Sequence, residues 1–247
     1  MNDGLEFLTR GDGRRLACRR LRGRGPAILF LPGYMSDMAG SKALALEAWA
    51  QREGRAFLRF DYGGCGLSPG DFERQSLADW RDDALAMIDS IEDFPLVLVG
   101  SSMGGWLMLL AALERPQRVA GLVGIAAAPD FTSWGFSDAE KETIRRKGRL
   151  VQPTPYGDLP YVTTRLFWES GESLKLLDRE IPLDCPVRLL HGMADPDVPH
   201  SVSLALAARL RSSDVQTTLI KDGNHRLSRE QDLASLIATV TLFVERL

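Results

Sequence analysis

Short apolar runs alternate with longer segments of helical spacing along most of this 247-residue chain. Residues 27–31, 56–60 and 96–99 are dense enough in apolar side chains for strands that are buried on both faces of a sheet. Between the last two runs, apolar residues recur at helical spacing after Ser76, a predicted N-cap. Because such alternation is typical of βαβ units, the chain is predicted to be an α/β protein built on a mostly parallel sheet.

The same alternation extends to both ends of the chain. An N-terminal hairpin is predicted at residues 5–9 and 16–21, a helix at 103–114, and two buried strands at 119–127 and 186–190. A closing block is predicted as a helix at 201–210, a strand at 216–220 and a helix at 230–247. Residues 130–184 break the pattern, since their short amphipathic stretches are interrupted by prolines and rich in aromatic side chains. This segment is predicted to be an insertion that lies over the sheet.

Charge and cysteine content exclude several classes of protein. The chain has 30 Lys and Arg residues against 33 Asp and Glu, a formal net charge of −3, so it lacks the basic surface that nucleic-acid binding requires. Cys18, Cys65 and Cys185 are odd in number, widely spaced and without a C-x-x-C pattern, so neither a disulfide framework nor a zinc site is expected. No metal or organic cofactor is predicted.

Neither a membrane span nor a targeting segment is recognisable. The longest apolar run, residues 106–113, is too short to cross a bilayer. The first residues have neither the basic and apolar regions of a signal peptide nor the Arg- and Ser-rich character of an organelle presequence. A cytoplasmic protein of a bacterium is therefore expected, or an organelle protein only if the chain is a mature form.

The motif G-S-S-M-G at residues 100–104 follows an apolar strand and precedes a helix, which is the context that a G-x-S-x-G nucleophile motif requires. So sharp a turn forces its central residue, Ser102, into a strained conformation, and the small Gly100 and Gly104 keep the flanking backbone from clashing. Ser102 would then lie at a helix N-terminus, which favours developing negative charge. Ser102 is the candidate nucleophile.

A serine nucleophile needs a base within hydrogen-bond reach, and that base needs a third group to orient it. Of the three histidines, His225 lies in a polar turn between the last predicted strand and the last helix, where its side chain can reach the edge of the sheet. His225 is the candidate base. His191, at the end of a strand, and His200, near the start of a helix, are interpreted as ordinary core or surface residues.

Asp195 is the candidate acid, because it follows a predicted strand and precedes His225 by about thirty residues. The resulting chain order of Ser, Asp and His is one in which such triads occur. Two alternatives stay open at this point. Asp197 could take the role instead of capping the next helix, and Asp130 follows the preceding strand.

Two backbone N–H groups are candidates for an oxyanion hole. Met103 directly follows the nucleophile at the start of a helix, and Tyr34 lies in the P-G-Y loop after the strand at residues 27–31. Gly33 permits the sharp bend of that loop. Donors in these two places would bind the oxygen of a tetrahedral intermediate.

Five motifs occur in an order that resembles the α/β-hydrolase superfamily over about residues 5–247. They are F-L-P-G-Y, R-F-D-Y-G-G-C-G, L-V-G-S-S-M-G-G-W, L-L-H-G-M-A-D and N-H-R, which begin at residues 30, 59, 98, 189 and 224. They look most like a branch of mitochondrial palmitoyl-protein thioesterases and acyl-glucuronide deacylases and its bacterial relatives. The resemblance implies a single domain over residues 1–247, with an eight-stranded, mostly parallel sheet flanked by helices and a small helical cap at residues 130–184.

Motifs and resemblance together predict a serine hydrolase that cleaves carboxylic esters or thioesters of hydrophobic acyl groups through an acyl-enzyme. Its substrate would be a small molecule or an acylated protein, and a mitochondrial location would apply only to a mature organelle form. Four aromatic residues are candidates for the wall of an acyl pocket, or else for the core of the cap: Trp134, Phe136, Phe167 and Trp168. The alternatives are a carbon–carbon bond hydrolase or lyase with the same triad, and a non-catalytic ligand-binding protein. Nothing in the sequence indicates a particular oligomeric state.

Overall fold

A computed structural model of the protein describes residues 4–91, 94–154 and 160–247. Within these ranges eight strands form a main sheet and two more pair separately. In chain order the strands are β1 (Leu5–Thr9), β2 (Arg15–Leu21), β3 (Arg24–Leu31), β4 (Arg55–Phe60), β5 (Leu96–Ser101), β6 (Val119–Ile125), β7 (Arg149–Gln152), β8 (Tyr161–Thr164), β9 (Val187–Gly192) and β10 (Val215–Ile220).

The main sheet has the strand order β1-β2-β4-β3-β5-β6-β9-β10. β1 is antiparallel to β2, and β2 is antiparallel to β4. The remaining pairings, from β4 across to β10, are parallel. The prediction of an eight-stranded, mostly parallel sheet is confirmed. Because the carboxyl ends of parallel strands meet at one edge, the loops that follow β3, β5, β9 and β10 lie near one another.

Helices cover both faces of the sheet. Those in the described ranges are α1 (Ser41–Arg52), α2 (Leu77–Asp89), α3 (Met103–Glu114), α4 (Phe131–Trp134), α5 (Asp138–Lys147), α6 (Arg165–Ser173), α7 (Ser201–Arg209) and α8 (Glu230–Val244), with a 3₁₀ turn at Phe72–Arg74. None of these helices is both long enough and apolar enough to cross a membrane.

Alternate residues of the central strands face two separate hydrophobic cores. In β5, Leu96 and Leu98 belong to the core under α2 and α3, whereas Val97 and Val99 belong to the core under α1 and α8. All four side chains are fully buried. Burial on both faces explains why the central strands occur in the sequence as continuous apolar runs.

Most predicted elements lie within a few residues of the observed ones, and Ser76 caps α2 as predicted by accepting a hydrogen bond from the Asp79 N–H at 3.1 Å. Helix α1 is absent from the prediction, although Ala43 and Leu46 are buried at helical spacing. Leu44, between them, is 43% exposed. Because apolar residues lie on both faces of α1, the sequence lacks the one-sided apolar pattern from which an amphipathic helix is predicted.

Residues 130–184, called the cap segment below, lie between β6 and β9, and their described strands do not join the main sheet. The segment contains α4, α5 and α6, in agreement with a helical cap. It also contains an antiparallel ribbon of β7 and β8, which the sequence analysis does not predict. These strands have only four residues each and are partly exposed, so they carry little periodic pattern. Residues 155–159 of the cap segment lie outside the described ranges.

Asp130 joins the two ends of the cap segment. Its carboxylate accepts hydrogen bonds from the backbone N–H groups of Leu176 and Leu177, each at 2.8 Å. Burial raises the pKa of Asp130, and the two hydrogen bonds oppose that shift. The side chain therefore fixes the base of the cap segment and is not available to orient a histidine at the sheet edge.

We expect Gly104→Ala to destabilise the fold. Gly104 lies in the first turn of α3, where an added methyl group would overlap the backbone carbonyl oxygens of Leu31 and Pro32. The better helix propensity of alanine is worth only about 1 kcal/mol, whereas overpacking of a tight site costs about 1–3 kcal/mol or more. Urea unfolding should therefore give a lower free energy of unfolding for this variant.

The matched control is Gly11→Ala, in the turn between β1 and β2, where an added methyl group meets nothing within 4 Å. This change should alter the free energy of unfolding by less than about 0.5 kcal/mol. Equal stabilities of the two variants would contradict the close approach of α3 to β3.

Candidate active site

Ser102 forms the turn from β5 into α3 with φ +53° and ψ −119°. Positive φ is costly for a residue with a side chain and persists only where its surroundings fix it. Here the Ser102 N–H donates to the carbonyl of Ile125 at 2.9 Å, and the Ser102 carbonyl accepts from the Ala128 N–H at 3.0 Å. A methyl group on Gly100 would overlap the Gly104 carbonyl. The turn therefore needs the glycines of its motif and its attachment to β6.

Three of the predicted residues meet at this turn. His225 Nε2 lies 3.1 Å from Ser102 Oγ, and His225 Nδ1 lies 2.8 Å from Asp195 Oδ2. These distances fit a Ser102 hydroxyl that donates to Nε2 and an Nδ1–H that donates to the carboxylate. Although Ser102 is the N-cap residue of α3, its hydroxyl makes no capping hydrogen bond. It is left to interact with His225.

The loop that carries His225 is held from both sides. The Asn224 side-chain oxygen accepts hydrogen bonds from the N–H groups of Arg226 at 3.1 Å and Leu227 at 3.2 Å. From α1, Lys42 Nζ donates to the Arg226 carbonyl at 2.5 Å. Burial, with a smaller effect of Arg226, lowers the pKa of Lys42 to about 8. Sequence reasoning missed Lys42, because its partner lies 184 positions away.

Asp195 is enclosed by hydrogen-bond donors, and its side chain is 0% exposed. Oδ1 accepts from the backbone N–H groups of Asp197 at 2.8 Å and Val198 at 2.9 Å. Oδ2 faces His225 and also lies 3.3 Å from Nε2 of His191. Burial alone would raise the pKa of Asp195, but its contacts with the rings of His191 and His225 more than reverse that effect. The pKa of Asp195 is therefore held well below its usual range.

The two alternative acids take other roles. Asp197 is exposed and gives its backbone N–H to Asp195. It does not cap α7, whose N-cap is His200. Asp130 binds the base of the cap segment, as described above. Of the three aspartates, Asp195 is the one hydrogen-bonded to His225.

Among the residues that the structure describes, Asp195, Asp197 and His225 place one ligand atom each within 4.8 Å of one another, a spacing that a metal ion could use. Both oxygens of Asp195 already accept hydrogen bonds, and both nitrogens of His225 are engaged. These atoms are committed to the link with Ser102, so no step of the chemistry is assigned to a metal.

Neither of the remaining histidines contacts Ser102. His200 is the N-cap of α7 and makes no side-chain capping bond there. His191 is fully buried, with Nδ1 2.6 Å from Ser203 Oγ and Nε2 2.9 Å from the Val198 carbonyl. Its contact with Asp195 escaped sequence reasoning, although the two residues are four positions apart in the motif H-G-M-A-D.

Both predicted oxyanion donors lie beside the nucleophile. Met103 is the first residue of α3, where a backbone N–H has no partner within the helix. Tyr34 follows Gly33, whose added methyl group would come within 3.4 Å of Ser102 Cβ. The two N–H groups remain candidate donors.

The Tyr34 side chain links the same loop to the cap segment. Its hydroxyl donates to the Val162 carbonyl in β8 at 2.5 Å. Its ring packs against Phe167 of α6, with centroids 4.8 Å apart, and lies 5.9 Å from the ring of Trp80 in α2. The sequence predicts a role for the Tyr34 backbone and none for its side chain.

Two cavities open beside Ser102. One of about 400 Å³, called the α1 cavity, has both apolar and polar side chains in its wall, and Ser36, Ser41 and Lys42 are among the polar ones. The other, about 350 Å³ and called the cap cavity, has Phe131, Trp134, Phe136, Pro153 and Val198 in its wall, together with polar residues such as Gln152 and Thr163. Four residues line both cavities: Tyr34, Ser102, Tyr161 and His225. The nucleophile thus lies between a cavity with serine and lysine side chains in its wall and a cavity with aromatic side chains of the cap segment in its wall.

Two of the four predicted pocket aromatics, Trp134 and Phe136, line the cap cavity. Phe167 and Trp168 do not line the cavity; they are 1% and 7% exposed and take the alternative role of core residues. Trp168 Nε1 donates to the Thr132 carbonyl at 2.9 Å, and the Phe167 ring contacts Tyr34. The apolar face of α6 binds the segment to the rest of the protein and so cannot also face a ligand.

Comparisons with known proteins identify relatives of this chain. Residues 25–152 match the family described as serine aminopeptidase, S33. The human palmitoyl-protein thioesterase ABHD10, mitochondrial, is 41% identical over 247 residues, which cover 98% of this chain and 81% of the relative. The structure of mouse alpha/beta hydrolase domain-containing protein 10 has a TM-score of 0.92 and 41% identity, with 98% of each chain covered. A structure from Agrobacterium vitis S4 has a TM-score of 0.91 and 36% identity, with 97% of this chain and 98% of that chain covered.

We expect Asp195 to contribute stability that disappears in acid. A carboxyl group whose pKa is lower in the folded than in the unfolded chain stabilises the fold above its unfolded pKa of about 3.9. That contribution is lost as the pH falls toward the folded pKa, which lies lower still. The difference in free energy of unfolding between wild type and Asp195→Asn should be constant above about pH 5 and shrink below about pH 4.

Denaturant unfolding at several pH values would measure this difference. Asp197→Asn, which removes the exposed carboxylate two residues along the same loop, is the control and should change stability less at pH 7. A difference between wild type and Asp195→Asn that grew in acid would contradict the lowered pKa of Asp195.

Proposed function

We propose a function for this chain from the family to which it belongs: the chain is an α/β-hydrolase, and its relatives include enzymes named as palmitoyl-protein thioesterases. It is a hydrolase, and the substrates proposed for it are carboxylic thioesters and esters of hydrophobic acyl groups, on small molecules or on proteins. The observation that carries the proposal is the hydrogen-bonded order Ser102–His225–Asp195 beside a cavity with aromatic walls.

Acylation starts at Ser102. As Oγ attacks the carbonyl carbon of the substrate, Nε2 of His225 takes the hydroxyl proton and then gives it to the departing thiol or alcohol. Asp195 orients the ring through Nδ1–H and stabilises the imidazolium that forms. Because the pKa of Asp195 is held low, it stays a carboxylate beside that cation and does not take the proton.

The backbone N–H groups of Tyr34 and Met103 bind the oxygen of the tetrahedral intermediate. Such donors are fixed before the reaction and interact most strongly with the charge that develops in the transition state, and one of them is typically worth about 10²- to 10³-fold in kcat. Ser102, at the N-terminus of α3, also places the developing charge at the positive end of the helix dipole.

Deacylation repeats the sequence with water. The leaving thiol or alcohol departs, and a water molecule takes its place next to His225. His225 removes a proton from this water as its oxygen attacks the acyl carbon, and then returns the proton to Ser102 Oγ. The products are a free carboxylic acid and the restored serine.

The two cavities suggest which part of the substrate lies where. The cap cavity, with Trp134 and Phe136 in its wall, suits a hydrophobic acyl chain, since burial of apolar surface there is favourable. The α1 cavity, with Ser36, Ser41 and Lys42 in its wall, suits the more polar leaving group. The cap segment would then select the acyl group.

A cytoplasmic location fits Cys18, Cys65 and Cys185, which are all free thiols. The mitochondrion is the alternative, because the human relative is named as mitochondrial. Fractionation of the source cells with immunodetection separates the two, and recovery of the chain with mitochondria would overturn the cytoplasmic assignment.

Ser102→Ala should abolish turnover of acyl thioesters and esters. Loss of the nucleophile typically costs more than about 10³-fold in kcat, even where oxyanion and binding contacts survive. A fluorophosphonate probe should label the wild type and not this variant. Ser101→Ala, which removes the neighbouring hydroxyl, should still be labelled. Equal turnover by wild type and Ser102→Ala would reject Ser102 as the nucleophile, and an unlabelled, inactive wild type would reject the proposed function.

Phe136→Ala should shift the preference among acyl chains. With one aromatic wall of the cap cavity removed, kcat/KM for a long-chain thioester should fall about tenfold relative to that for an acetyl thioester, since one such apolar contact is worth about 1–3 kcal/mol. Phe167→Ala is the matched control, because Phe167 is buried outside the cavity. It should lower the free energy of unfolding by about 3–5 kcal/mol and change the chain-length ratio less. Equal shifts of that ratio would contradict the assignment of the acyl site.

A further inference from the structure

His191 contacts Asp195, the acid of the candidate triad. Nε2 of its ring is 2.9 Å from the Val198 carbonyl and 3.3 Å from Oδ2 of Asp195. Oδ2 is the same oxygen that faces His225 Nδ1 at 2.8 Å. The Val198 N–H in turn donates to Oδ1 of Asp195 at 2.9 Å. The His191 ring, the Val198 backbone and the Asp195 carboxylate therefore each contact the other two.

The neighbours of His191 specify its tautomer. Nε2 faces only acceptors in these contacts, a carbonyl and a carboxylate, so it must carry a hydrogen. Nδ1 lies 2.6 Å from Ser203 Oγ of α7, whose hydroxyl can donate to it. Both His191 and Ser203 are buried, with exposures of 0% and 1%. A neutral ring with Nε2–H and an accepting Nδ1 satisfies every partner.

We propose that His191 is a positioning residue for the hydrolysis: held by Ser203, its Nε2–H fixes the Asp195 carboxylate and the Val198 loop in the place that His225 requires. The inference rests on the proposed function, since it assigns a role in the same reaction. His191 does not contact Ser102 and reaches the reacting atoms through Asp195; its bond to the Val198 carbonyl also fixes one residue in the wall of the cap cavity.

The role of His191 matters for the reaction because His191 and His225 contact the same oxygen, Oδ2 of Asp195. His225 must keep Nδ1–H directed at Oδ2 while Nε2 exchanges protons with Ser102, and a carboxylate free to rotate would direct it less well. His191 gives Oδ2 a second contact, at 3.3 Å, in addition to that of His225. It also supplies a neutral donor, which favours the ionised carboxylate without adding a second cation next to the imidazolium.

A pair of variants separates donation from packing. His191→Leu fills a similar volume without a donor, whereas His191→Gln keeps an N–H that can reach Val198 and Asp195. Hydrogen bonds to charged groups are strong enough that the leucine variant should lose about 10- to 100-fold in kcat, with KM within about twofold of wild type. The glutamine variant should recover most of that loss. Full activity of a folded leucine variant, or equal losses in both variants, would overturn the proposal.

Nuclear magnetic resonance of chain labelled with ¹⁵N-histidine tests the tautomer directly and does not depend on activity. His191 should carry its proton on Nε2 and accept at Nδ1. A ring protonated on Nδ1 alone would overturn the proposal, because the Nε2 lone pair would then face the carboxylate.

Ser203→Ala leaves the His191 ring in place and tests the same proposal if the His191 variants fail to fold. It should alter the ¹⁵N shift of His191 Nδ1 and lower kcat about fivefold, and an altered shift with wild-type kcat would remove Ser203 from the proposal. Ser203→Thr keeps the hydroxyl and should retain the wild-type ¹⁵N shift of His191 Nδ1.

The reaction of the wild type with the fluorophosphonate probe is measured in the same experiment. An inactive wild type would refute the proposed function, whereas an active wild type with an equally active His191→Leu variant would refute only the role of His191.

Discussion

The turn at Ser102 is the constraint on which the rest of the site depends. Its positive φ persists because Ser102 is bonded through its backbone to β6 and because Gly104 lets α3 approach β3. Such a turn requires β3, β5 and β6 side by side and parallel, with their carboxyl ends at one edge. The same sheet order brings the loops after β9 and β10 to that edge. The sheet therefore determines the chemistry by deciding which loops can meet.

Prediction from sequence succeeded where local pattern and structure coincide. Central strands are buried on both faces and so appear as apolar runs, and the glycines around Ser102 are needed by the turn itself. It failed where the deciding partner is far away in the chain. Tyr34 is 128 positions from Val162, and nothing near Phe167 in the sequence shows that its ring faces Tyr34 instead of a cavity. The short ribbon of β7 and β8 has too few residues to carry a period.

The cap segment separates structural from ligand-facing aromatics. Phe167 on α6 packs against Tyr34 and Trp80 and so binds the segment to the body of the protein, whereas Trp168 and the Asp130 carboxylate form hydrogen bonds within the segment. Trp134 and Phe136 face the cap cavity. Trp134 also donates its Nε1–H to the Pro129 carbonyl at 2.9 Å, so Phe136 is the one of the two that can differ more freely. The cap can thus change what it recognises while it keeps the contacts that hold it to the sheet.

Tyr34 is the exception to that separation. Its backbone lies beside the nucleophile, while its hydroxyl is bonded to β8 and its ring is packed among those of the cap and α2. A bulkier ligand that lifted the ribbon would pull on the loop that carries a candidate oxyanion donor. We therefore expect changes that broaden the substrate range through the ribbon also to change the rate of turnover. Attempts to widen the cap cavity by redesign should preserve the bond from Tyr34 to Val162 before they alter anything else.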